Sequence, residues 1–286
     1  MTPPPEQARP WLRLGHSALA LALLAQPLHP QAPPQLTAER RAFSEWLGRA
    51  PTSPLAILAR TPVGSGLSVG PTSADLPLPG ISGRVAEVDG QVVFIDTAGA
   101  HAVPRSGTNR VGPYLLSASG PPGRSVLLVY GESHKPTQVS WYPYDSGFVF
   151  TVELKGPAVP PRRLRLDADA TEVKALKVGT VTAPIGHSGA TLTVYEMGGG
   201  DDPEGADLTV YFQDRTNGHG SYPAGRFIEL VPTAGGRYRL DFNRSRNPYC
   251  AYSTVYPCPA PWPGNLIDAP VSAGERYGSA SGDPAH

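Results

Sequence analysis

The densest group of side chains able to do chemistry lies between residues 214 and 275. Asp214-Arg215-Thr216-Asn217-Gly218, Ser221-Tyr222, Arg226, Asp241-Phe242-Asn243, Asn247, Asn265 and Glu275 follow one another there. A guanidinium such as that of Arg226 grips a carboxylate or phosphate through two parallel hydrogen bonds. Around it, Asp214, Thr216, Tyr222, Asp241, Asn243 and Asn247 form a candidate ligand-binding set, with Tyr222, Asn243 and Asn247 orienting the ligand. Asp214 or Asp241 could instead act as the general base of a hydrolase. A third use is structural. A buried arginine needs a carboxylate, which Asp214 or Asp241 can supply, and the asparagines can hydrogen-bond a segment that has no strand ladder of its own.

Cys250 and Cys258 are the only two cysteines. In an exported protein a disulfide between them would pin a proline-rich segment, whereas in the cytoplasm two buried thiols are expected. A metal half-site lacks further ligands, and a reactive thiol would need a cation such as Arg244 or Arg246 beside it. Gly66-Leu67-Ser68-Val69-Gly70 matches G-x-S-x-G, but Pro71 follows where a nucleophile elbow needs a helix. The carboxylates Glu196, Asp201, Asp202, Glu204 and Asp207 do not have EF-hand spacing and read as a solvated loop. His101, His134, His187 and His219 are not paired at i, i+4, so no metal site is expected, and no cofactor either.

The elements that must carry these residues are mostly strands. Thr37 is the expected N-cap of one helix, with Phe43, Trp46 and Leu47 on one face and Pro51 and Pro54 ending it. Leu55 to Leu58 then add a short turn. Val85–Val88 and Gln91–Ile95 flank Asp89-Gly90, a strong hairpin signal. Further strands are expected at 125–130, 139–142, 148–154, 163–166, 172–178, 191–195, 208–212, 227–231 and 238–242. Gly235-Gly236 joins the last two as a hairpin, which brings Arg226 near Asp241 and Asn243. Beyond Phe242 the prolines exclude a central strand, so the chain must lie along the sheet, held by side chains. The expected fold is mainly β: a twisted antiparallel β-sandwich or barrel with one N-terminal helix and an irregular, proline-rich C-terminal segment.

Composition agrees. Of 286 residues, 32 are Gly and 34 Pro, far above average usage. The 24 Lys+Arg balance 24 Asp+Glu, which removes the electrostatic case for nucleic acid. Arg9 and Arg13 precede the apolar run Ala18–Ala25, which is too short to span a bilayer. Residues 1–32 therefore read as a signal peptide or a disordered N-terminal extension. The expected location is exported (periplasm, envelope or extracellular), the cytoplasm being the alternative. Residues 37–278 form a single β-rich domain with no transmembrane span, and 279–286 a disordered tail. Nothing in the sequence sets the oligomeric state.

At the polar cluster a family pattern emerges. Asp241-Phe242-Asn243-Arg244-x-x-Asn247-Pro248-x-Cys250-Ala251-Tyr252, then Cys258-Pro259-x-Pro261, Asn265 and Ala273-Gly274-Glu275, resembles the C-terminal signature of the domain-of-unknown-function 1684 family. Asp214-x-Thr216-x-Gly218-x-x-Ser221-Tyr222-x-x-Gly225-Arg226-Phe227 resembles an upstream element, with Ser221 in place of threonine. Trp141-Tyr142-Pro143-Tyr144-Asp145 resembles a central one. Ala50-Pro51-x-Ser53-Pro54-Leu55 and Asp75–Pro79 are similar to its start, so the likeness runs from Thr37 to Gly278. The resemblance implies one motif set and no activity. Three functions stay open: binding of a small anionic ligand in the cell envelope, hydrolysis, and a structural or interaction module in which the cluster is a clamp.

Overall fold

A computed structural model describes residues 30–132, 139–156, 163–168, 171–198, 206–258 and 264–278. Residues 1–29, most of the Glu196–Asp207 loop, His134 and the 279–286 tail lie outside them. Helix α1 (Pro34–Arg49) opens on proline, whose fixed φ and missing N–H suit a first turn. Pro33 is the N-cap, so Thr37 sits inside the first turn instead of capping it. Leu36, Phe43 and Leu47 face inward, while Trp46 stays 36% exposed.

Nine strands follow: β1 (Ile57–Pro62), β2 (Leu67–Gly70), β3 (Leu76–Pro77), β4 (Gly83–Val88), β5 (Gln91–Asp96), β6 (Gly99–Val103), β7 (Asn109–Val111), β8 (Tyr114–Ser119) and β9 (Val126–Tyr130). They make a four-stranded sheet, β1-β9-β8-β7, and a five-stranded one, β3-β2-β4-β5-β6. Val69, Val85, Phe94, Leu116, Leu127 and Val129 fill a shared core. The β4–β5 hairpin turns at Asp89 (φ 48°) and Gly90 (φ 77°), the two positive φ values of a type I′ turn. Residues 57–58, expected as a turn, begin strand β1.

The second half contributes β10 (Val149–Val152), β11 (Arg163–Ala168), β12 (Thr171–Ala183), β13 (Ala190–Gly198), β14 (Ala206–Phe212), β15 (Arg226–Thr233) and β16 (Arg237–Asp241). They form one antiparallel sheet in the order β10-β16-β15-β14-β13-β12-β11. The mainly β fold with antiparallel sheets and one N-terminal helix is thus as expected, and this sheet curls into a half-barrel. Just past edge strand β10, Lys155 exchanges two 2.9 Å backbone hydrogen bonds with Thr180 of β12. Gly179 permits this approach, since a Cβ there would stand 2.2 Å from the Lys155 carbonyl oxygen. The expected 139–142 strand is absent. Trp141 makes a single bridge to Glu275, because its partner is itself irregular.

Past β16 no described strand forms. Phe242, Ile267, Val271 and Ala273 instead enter the core beside Val210, Phe212, Ile228 and Leu240. Their burial stabilises by about 1.5–3 kcal/mol per large side chain, but it also carries backbone amides away from water. Those amides need partners, and the polar cluster supplies them.

Candidate functional site

Arg226 opens β15, and its side chain is fully buried. Its NH2 donates to Asp214 Oδ2 (2.8 Å) and to the Val271 carbonyl (2.8 Å). NH1 donates to the Ala273 carbonyl at 2.5 Å. Nε has no hydrogen-bond acceptor, and the guanidinium carbon lies 5.3 Å from the Phe212 ring centre and 5.9 Å from that of Tyr142. Asp214 is equally occupied. Its Oδ1 accepts from the Thr216 N–H (2.8 Å), the Thr216 hydroxyl (2.6 Å) and the Val271 N–H (3.1 Å). The first of these is a local turn closed by the aspartate side chain. Of the two candidate carboxylates, Asp214, just past β14, is the one that pairs with Arg226. Asp241 accepts from the N–H and side-chain amide of Asn243 and from Arg244 Nε (3.3 Å).

Three asparagine side chains and one serine stand in for backbone. The Asn265 amide donates to the Thr193 and Tyr211 carbonyls (both 2.9 Å) and accepts from the Thr193 N–H (2.7 Å). The β13–β14 ladder stops at the Tyr195–Thr209 pair, so Asn265 acts as an inserted peptide where the strands splay. Asn243 does the same for Asp145, accepting from its N–H (3.0 Å) and donating to its carbonyl (2.8 Å). Ser245 donates to the Phe242 carbonyl at 2.8 Å. Asn247 offers its N–H to Glu275 Oε2 (2.9 Å) and its side-chain amide to the Arg276 carbonyl (3.2 Å). Helix α1 joins the same network: Arg40 donates to the Asn243 carbonyl (2.9 Å), and Glu39 pairs with Arg244.

Residues 135–276 match the family model DUF1684, described as a protein of unknown function. The DUF1684 match takes in the Trp141–Asp145 segment and all of Asp214, Thr216, Tyr222, Arg226, Asp241, Asn243, Asn247, Cys250 and Cys258. The elements at 50–55 and 75–79 fall outside it, so the likeness expected from Thr37 onward is shown for the C-terminal part. The chain is also similar to an uncharacterized protein of Haloarcula marismortui solved by NMR. The two share 29% identity over 48% of this chain and 75% of that one, at a TM-score of 0.40. No curated protein matches.

Within the DUF1684 region, two further groups matter. Glu275 is 2% exposed, and burial raises its carboxyl to about 7. The Tyr252 hydroxyl donates to its Oε1. The Tyr222 hydroxyl donates to Cys250 Sγ and also contacts Cys258 Sγ, each at 3.3 Å. Both cysteines are free thiols, Cys250 buried and Cys258 exposed. From the sequence, Tyr142 and Tyr252 stood only as motif positions without a role and Ser245 not at all, because isolated tyrosine and serine carry no spacing signal.

Elsewhere, Ser68 lies within strand β2 and donates to Asp75 Oδ2 at 2.6 Å, without an elbow. Among the described residues no cluster of three His, Cys, Asp or Glu could hold a metal. No described helix is long and apolar enough to cross a membrane. A surface cleft lined by Pro51, Arg110, Pro113, Tyr130 and Glu132 includes none of the cluster.

Proposed function

We propose that this chain is a structural or interaction module, and that the network around Arg226 clamps its C-terminal segment onto the half-barrel. One observation carries the reading: the Arg226 guanidinium is 0% exposed and its terminal nitrogens already hold Asp214 and the backbone carbonyls of Val271, Ala273 and Glu275. An anionic ligand would have to displace Asp214 and strand it unpaired in the interior, at a cost of several kcal/mol. A general base needs a lone pair within reach of substrate. Asp214 accepts four hydrogen bonds and Asp241 three, which weighs against hydrolysis.

Contacts of α1 with Asn243, Trp141 and Tyr252, and of Tyr256 with Ile57 and Tyr130 of the first half, support reading 37–278 as one domain. The rings of Trp46 and Tyr249, 6.3 Å apart and partly exposed, give it an aromatic surface outside the clamp. The basic residues and apolar run before residue 26 support export of this module.

The test is Arg226→Ala in the full chain. Loss of about 3–5 kcal/mol is expected, the cost of breaking a buried pair. Amide exchange at Val271 and Glu275 should accelerate first. Organic acids and phosphate should leave the wild-type melting midpoint unmoved. Unchanged stability, or an anion that raises the wild-type midpoint but not the variant's, would overturn the clamp. If the alanine variant does not fold, Arg226→Lys, which keeps the charge but loses the fork, should show the same loss in smaller measure.

A further inference from the structure

The Tyr222 hydroxyl gathers two sulfurs on one oxygen. It donates to Cys250 Sγ and meets Cys258 Sγ, both at 3.3 Å, and the two thiols also hydrogen-bond each other. They differ in access: Cys250 is buried, Cys258 exposed. This asymmetry is the arrangement a dithiol needs for stepwise exchange, with one sulfur open to a reagent and the second shielded from it yet within reach of the first. The residues between them are not idle spacer. Tyr252 donates to the buried Glu275, and Tyr256 hydrogen-bonds Tyr130 and packs against it at the end of β9.

We infer that Cys250 and Cys258 form a reversible dithiol–disulfide couple, oxidised by low-molecular-weight disulfides, that staples the 250–258 segment, which contacts Tyr130 of β9 and the buried Glu275. The Cys258 thiolate attacks one sulfur of the reagent, forming a mixed disulfide and expelling one reagent thiolate. The Cys250 thiol then gives up its proton and attacks the Cys258 sulfur. The intramolecular disulfide forms, and the second reagent thiolate leaves. Two protein thiols are oxidised, and one reagent disulfide is reduced to two thiols. Burial pushes the Cys250 thiol up to about 12, which keeps it protonated and unreactive until the mixed disulfide sits beside it. Tyr222 is the positioning residue: its hydroxyl holds both sulfurs on one side of the segment. The inference is independent of the clamp around Arg226.

The experiment uses the full chain equilibrated with mixtures of reduced and oxidised glutathione, quenched in acid, unfolded, alkylated and weighed by mass spectrometry. The wild type should pass from two alkylated thiols to none, with loss of two hydrogens and no added glutathione, and return on reduction. Cys250→Ser should stop at the mixed disulfide on Cys258. Cys258→Ser should keep its buried thiol unmodified while folded. The oxidised wild type should melt higher than the reduced form. Glutathione that persists on wild-type Cys258, disulfide-linked dimers, or two free thiols throughout the redox range would each overturn the inference.

Discussion

Glu275→Gln should invert in sign with pH. The carboxyl is 2% exposed, and burial lifts it to about 7 from an ordinary 4.5, against the Tyr252 hydroxyl, the Asn247 N–H and the Arg246 charge, which all pull it down. Between those two values the folded chain keeps a proton that the unfolded chain has released. Stability therefore falls as pH rises from about 4.5 through about 7, and levels off above. At about 1.4 kcal/mol per pH unit, the loss across the window is about 3 kcal/mol. A glutamine can turn its oxygen to the Asn247 N–H and its amide to the Tyr252 hydroxyl, so at pH 5 the variant should lose no more than about 1 kcal/mol. At pH 8 it should exceed the wild type by about 2 kcal/mol. Urea unfolding of both proteins from pH 4.5 to 8, read as the difference in free energy, isolates this group. Asp75, Glu87 and Asp96, held below the ordinary carboxylate range mainly by hydrogen bonds, cancel in that difference. A difference that stays flat with pH would refute the reasoning, since Glu275 would then carry the same charge folded and unfolded.

Asn265→Ala strands the Thr193 N–H and two carbonyls between β13 and β14. A loss of about 2–4 kcal/mol in chemical denaturation is expected, given about 1–3 kcal/mol for each buried group left unpaired. Gly274→Ala would place a Cβ 2.0 Å from Ser245 Oγ and 2.6 Å from the Phe242 carbonyl oxygen, at φ 82°. That variant should lose the segment's protection in amide exchange, and native-like protection would contradict the packing described. At the 89–90 turn, Asp89→Asn should be neutral in thermal unfolding, whereas Asp89→Val should cost about 1–2 kcal/mol because a branched residue resists the left-handed region.

What local chemistry controls was legible without coordinates. Asp89-Gly90 and Gly235-Gly236 specify their turns through φ alone, and the alternating strands around them follow. The prolines beyond Phe242 excluded a ladder there, and from that exclusion came the need for side chains to hold the segment. Strands β6, β7 and β8 were not legible. Their small and polar residues (Gly99, Asn109, Ser117, Ser119) leave no clear period, and partners 3–15 residues away supply their hydrogen bonds. The residue types of the clamp could be read from the sequence, but its pairing could not. Asp214 and Asp241 were equal candidates until the curl of the sheet brought β14's end, and not β16's, against the Arg226 side chain. Likewise Asn265, Glu275 and the two cysteines acquire their roles from contacts across 72, 28 and 36 positions of chain with Thr193, Asn247 and, for Cys258, Tyr222. Sequence determines which groups must be satisfied if buried. Only the long-range register of the sheet, set by the summed burial of its core, decides which of them meet.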